Sequence, residues 1–116
     1  MRIYHIKNST MFNKKDKNGT HRYAVYYDRK SHELRAIQLT HIYEIPFNKQ
    51  KQINNGHIKK VKLNCYSMPS GVQTGYITKN IDGNPLTLNR FNSRKSYSLS
   101  REESKKLKKI AKKKIK

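Results

Sequence analysis

Acidic residues are scarce in this 116-residue chain: seven Asp and Glu stand against 27 Lys and Arg, leaving a formal net charge of +20. Apolar residues are also few, at 34%, below the roughly 45–50% of ordinary globular domains. The length allows one small domain with a thin core. No apolar run approaches the roughly 18 residues that would suggest a membrane span. The opening Met1-Arg2-Ile3-Tyr4-His5-Ile6 lacks the apolar stretch of a signal peptide. With Cys65 as the sole cysteine, an intrachain disulfide framework and a Cys-based zinc cage are excluded. A reducing, cytoplasmic setting without a membrane partner is the expectation. The seven acids show no paired-carboxylate spacing, and the histidines at 5, 21, 32, 41 and 57 form no His-x-x-His or His-Glu-x-x-His arrangement. The five glycines are isolated and build no phosphate loop. Neither a metal nor a cofactor is expected.

What the chain has is cations and tyrosines. A charge this high calls for a polyanionic partner, and the eight tyrosines distributed among the cations can stack on bases. Nucleic acid, RNA or DNA, is therefore the expected ligand class, ahead of an anionic membrane surface or an acidic protein. The stretch 101–116 separates itself by composition, with nine basic residues against two acids. Ser100 followed by Glu103 predicts a capping box at a helix start. Leu107, Ile110, Ala111 and Ile115 form a narrow apolar stripe at helical spacing. Residues 1–99 are thus expected to form one β domain, and 100–116 a basic C-terminal helix or tail whose last residues are disordered.

Residues 1–100 read as β-rich. Strands are expected at Arg2–Ile6, His21–Tyr27, Leu34–Ile45, His57–Leu63, Val72–Lys79 and Pro85–Leu88. Polar loops are expected at Met11–Thr20, Asn48–Gly56 and Asn89–Ser98, with turn signals at Asn18-Gly19 and Asp82-Gly83. In the long strand the odd positions Arg35, Ile37, Leu39, His41, Tyr43 and Ile45 form the more apolar face. The fold class is mainly β: a small SH3-like or OB-like barrel of five to six antiparallel strands closed by the basic helix.

Metal-free cleavage of RNA suits such a composition, because the substrate supplies its own 2′-OH nucleophile. The protein then needs a cation for the phosphorane charge, a hydrogen-bond donor and modest acid–base help. Arg, Thr or Ser, and His meet those needs. Three segments, in order, carry a likeness: Gly19-Thr20-His21-Arg22-Tyr23-Ala24-Val25-Tyr26, Leu34-Arg35-Ala36-Ile37-Gln38-Leu39-Thr40-His41 and Ser70–Asp82 with its Ile77-x-x-x-Ile81-Asp82 ending. Across roughly the middle two-thirds of the chain, this order resembles the MazF/PemK-type endoribonuclease toxins. Tyr23 and Gln38 stand where that family has Pro, and His41 where it has Ser. The resemblance implies an SH3-like barrel, often a homodimer, that cuts single-stranded RNA without metal and is silenced by an antitoxin, either an acidic protein or an RNA. It places the catalytic pair on Arg22 and Thr40, with His21 or His41 as proton shuttles. Lys59, Lys60 and Lys62, together with Arg35, Lys79 and the tail lysines, are the expected RNA contacts.

Each of these residues also has a plainer account: Arg22 as one surface cation among many, Thr40 as a strand former, His41 as a core histidine. Two other functions therefore stand beside the ribonuclease. One is a non-catalytic basic nucleic-acid-binding barrel of a ribosomal, phage or mobile-element setting; the other is an inhibitor that docks on an acidic or nucleic-acid-bound partner.

Overall fold

The computed structural model describes residues 1–12, 14–16, 18–41, 56–91 and 96–115. In chain order the elements are β1 (Arg2–Lys7), a single turn α1 (Asn8–Met11), β2 (Thr20–Asp28), β3 (Glu33–His41), β4 (Ile58–Val61), β5 (Ser70–Gln73), β6 (Gly75–Tyr76), a 3-10 turn (Leu88–Arg90), β7 (Tyr97–Ser98), α2 (Arg101–Ile110) and β8 (Lys113–Lys114). Six strands form an antiparallel half-barrel in the order β4-β5-β3-β2-β1-β7, and β6 pairs separately with β8. The mainly β class with a C-terminal helix is as the sequence implied.

The β2–β3 hairpin is the spine. Its pairing runs from Asp28 opposite Glu33 to Arg22 opposite Leu39, and Asp28 fixes the connecting turn by accepting from the amide and the hydroxyl of Ser31 at 2.9 and 2.6 Å. Those two bonds hold the Asp28 carboxyl below the usual carboxylate range. Alternation along the strands then builds a core on each face. Ile3, Ala24, Ile37, Leu39 and Val72 meet Leu107 and Ala111 of the helix segment on one side. Ile6, Tyr23, Val25 and Ala36 meet Met11, Leu86 and Phe91 on the other. The second core corrects the expectation of one apolar and one polar face: Ala36, on the even side of β3, is wholly buried.

Helix α2 begins as its sequence implied. Ser100 Oγ accepts from the Glu103 amide at 3.1 Å, and the Glu103 carboxylate accepts from the Ser100 amide at 3.1 Å. Its second oxygen accepts from the Asn64 amide at 2.9 Å, tying the helix to the loop after β4. Desolvation raises the Glu103 carboxyl, yet these donors hold it below its ordinary value. Loss of an N-cap hydroxyl costs about 1 kcal/mol, so Ser100→Ala is expected to lower the melting temperature by roughly 4–8 °C, measurable by circular dichroism.

The differences from the sequence reading lie downstream of β4. The expected strand Val72–Lys79 is broken at Thr74 into β5 and β6. Leu39 opposes Val72 while Ala36 bridges to Ile77, so the second chain bulges outward over Thr74–Tyr76. Pro85–Leu88 is not a strand; only a bridge between Lys79 and Pro85 forms there. β7 lies inside the expected loop Asn89–Ser98 and pairs with β1. The tail is ordered to Ile115: Lys113 and Lys114 pair in parallel with Gly75 and Tyr76, and the Ile115 amide donates to the Tyr76 carbonyl at 2.8 Å. Ile115 therefore leaves the helical stripe, which consists of Leu107, Ile110 and Ala111. Residues 42–45 of the expected long strand, most of the loop Asn48–Gly56 and 92–95 lie outside the described residues.

Candidate nucleic-acid interface

The edge strand β4 buries its first and last residues, Ile58 and Val61, and leaves Lys59 and Lys60 exposed between them, one on each face of the sheet. Helix α2 turns Leu107 inward, which leaves Lys106 and Lys109 on its outer surface. Between them lies a cleft of about 460 Å³ lined by Lys59, Lys60, Lys106, Lys109 and Lys112, with Val61 and Ile110 as its floor. Five lysines along this cleft, with no carboxylate among its described lining residues, raise the local potential and favour a polyanion along strand and helix.

The other expected contacts are elsewhere. The Lys62 ammonium folds back onto the carbonyls of Leu63, at 3.1 Å, and Tyr66. Arg35 is committed to Glu33 at 3.2 Å and Asp28 at 3.5 Å, and its guanidinium lies 4.2 Å from the centre of the Tyr76 ring. Lys79 is exposed, but it borders a separate cleft with Tyr27, His32 and Leu86.

The expected catalytic pair is split by the sheet. Arg22 pairs with Leu39, a residue of the helix-side core, so Thr40, the next residue, points to the opposite face. Arg22 is only 5% exposed. Its guanidinium lies 4.2 Å from the centre of the Tyr66 ring, a cation–π contact strengthened by desolvation. A guanidinium in that position braces the strand, and it does not share a phosphate with Thr40. His41 ends β3 opposite Ser70, and its side chain lies outside the described residues.

His21 is on Thr40's face, and it is held by a relay that motif reading did not identify. Its Nδ1 is 2.6 Å from Asn8 Oδ1. Asn8 Nδ2 donates to Asp16 Oδ2 at 2.7 Å, and the other Asp16 oxygen accepts from the Gly19 amide at 2.8 Å. Because the Asn8 amide nitrogen faces the carboxylate, its oxygen faces His21. Nδ1 is therefore the protonated donor, and Nε2 is the acceptor in the neutral ring. The bonds from Asn8 and Gly19 hold the Asp16 carboxyl below its usual range. A Cβ at residue 19 would sit 2.8 Å from Asp16 Oδ1, so glycine is needed there for close approach. The ring of Phe12 meets His21 edge-on at 5.1 Å.

Among the described residues no group of three or more His, Cys, Asp or Glu is placed to hold a metal ion, and no helix is long and apolar enough to cross a membrane. Cys65 is partly buried next to the main core, and burial pushes its thiol pKa up, the opposite of an activated nucleophile. No protein-family model matches the chain, and neither a curated protein nor a solved structure does.

Proposed function

We propose that this protein is a non-catalytic RNA-binding β-barrel that grips the phosphate backbone between β4 and α2. The observation that carries this reading is the cleft lined by Lys59, Lys60, Lys106, Lys109 and Lys112, with no acid among its described lining residues. Lysines act there as point charges on phosphates and read no sequence. Binding to a single-stranded RNA oligonucleotide should weaken steeply with salt, because each neutralised phosphate releases condensed counterions. A log–log plot of affinity against salt tests it: a clear negative slope is expected, and no binding at low salt would remove RNA as the partner.

A second reading, metal-independent endoribonuclease toxin with an acidic-protein or RNA antitoxin, draws on the MazF/PemK resemblance. The observation favouring it is His21, oriented by Asn8 and Asp16 on the same face as Thr40. Against it stands Arg22, buried on the other face. Incubation with RNA in excess EDTA separates the two. The binding reading expects intact RNA. Fragments ending in cyclic phosphate, lost when the cut site carries 2′-deoxyribose, would establish the toxin reading. In that case Thr40→Ala should slow cleavage by about 10²–10³-fold.

A further inference from the structure

On the face opposite the lysine cleft's helix, three neighbouring strands place a row of polar side chains. Tyr23 of β2 is paired with Gln38 of β3. Gln73 of β5 follows one step beyond the pairing of Leu39 with Val72. These three and His21 line a pocket of about 420 Å³ whose remaining walls are Met11, Phe12, Ile77 and Ile115. Tyr23 is fully buried, and its hydroxyl has no hydrogen-bond partner among the described residues. Burial also raises the phenol's pKa, so it stays a neutral donor. A buried hydroxyl left without a partner destabilises the fold, and a ligand offering an acceptor would relieve that.

The lining specifies the ligand's chemistry. Among the described residues it contains no Lys or Arg to neutralise a phosphate and no carboxylate to hold a metal. It offers two amides, each with donor and acceptor, a phenol donor and an imidazole whose tautomer is set by Asn8. Around them are flat or flexible apolar walls, with Phe12 44% exposed at the mouth. A planar heteroaromatic with a hydrogen-bonding edge fits both halves, and 420 Å³ holds a base with its sugar. The tail links this pocket to the basic cleft: Lys112 lines the cleft and Ile115 lines the pocket, three residues apart and so within about 11 Å.

We propose that the pocket of His21, Tyr23, Gln38 and Gln73 takes one unpaired nucleobase from the RNA strand held by the lysine cleft. This rests on the RNA-binding reading and adds to it a base-reading site. Phe12 lies against the base plane while the amides and the phenol meet its edge, the mode by which single-stranded RNA is read.

The test measures affinities of the full chain, at one fixed salt, for eight-nucleotide A, C and U homopolymers and for an abasic ribose-phosphate strand of equal charge. At least one homopolymer should bind about tenfold tighter than the abasic strand. Gln38→Ala combined with Gln73→Ala should bring that ratio close to one while leaving abasic binding unchanged. Tyr23→Phe, which removes only the hydroxyl, should reduce the ratio and leave the melting temperature unchanged or higher, so a loss of fold cannot imitate the result. Equal binding of all strands by the unaltered protein, or a ratio that survives these substitutions, overturns the pocket and leaves the RNA reading standing. No binding to any strand, abasic included, overturns both.

Discussion

Replacing Leu107 by alanine is expected to lower the melting temperature by about 10–30 °C. Leu107 is wholly buried and sits in the main core with Ile3, Ala24, Leu39 and Val72. Truncating such a leucine removes its transfer free energy and leaves a cavity, together about 2–5 kcal/mol, and each kcal/mol moves the midpoint of a domain this size by roughly 4–8 °C. The loss should be large because neighbouring strands cannot collapse into the gap without disturbing their ladder. Lys105→Ala, on the exposed side of the same helix, is the control and should shift the midpoint little. If Leu107→Ala melts like the unaltered protein, the helix contributes nothing to the core and the basic segment is an appendage.

The second large effect concerns charge. Changing Lys59, Lys60, Lys106, Lys109 and Lys112 together to Gln keeps the aliphatic stems over Val61 and Ile110 and removes five cations. With single strands each phosphate contact adds about 0.7 to the salt slope, so the slope should fall by roughly 3.5 and the affinity at 50 mM salt by on the order of 10³–10⁴-fold. Thermal stability should hold or rise, since like charges are being removed from one place. Three exposed lysines outside the cleft, Lys7, Lys30 and Lys79, serve as the comparison. If their replacement by Gln weakens binding in proportion to charge, the attraction is diffuse and the cleft is not the site.

Local rules made the hairpin and the helix legible. Alternation marked β1 to β3, Ser100 and Glu103 announced their capping box, and Asp82-Gly83 announced a turn in which Gly83 has φ +82°. The elements that escaped are those made by distant partners. β7 and β8 are two residues each and polar; nothing in Tyr97-Ser98 or Lys113-Lys114 states that Arg2-Ile3 or Gly75-Tyr76 will pair with them. The faces of Arg22 and Thr40 depended on one number, the length of the β2–β3 turn. Four residues, Arg29 to His32, separate the paired Asp28 and Glu33, and that count sets the register so that Arg22 meets Leu39. A three- or five-residue turn would have put Arg22 and Thr40 on the same face. His32 accommodates the turn with φ +53°, in the left-handed region that few residues other than glycine enter. The polar row of Tyr23, Gln38 and Gln73 was hidden for the same reason: it exists only once two registers, β2 with β3 and β3 with β5, are known.

The bond between first strand and last has a consequence for anything that shortens this chain. Arg2 and Ile3 find their outer partners in Ser98 and Tyr97, Arg2 also reaches Ser96 Oγ at 2.9 Å, and the Leu99 amide closes on the Met1 carbonyl at 3.0 Å. A fragment cut before Tyr97 keeps the whole hairpin but loses this cover. The outer amides and carbonyls of β1 then form a bare template beside the apolar Ile3 and Ile6, the kind of edge on which a second molecule adds its own strand. Truncation ahead of Tyr97 would thus leave the sheet open to intermolecular growth, with turbidity and a fall in recoverable protein as its visible signs.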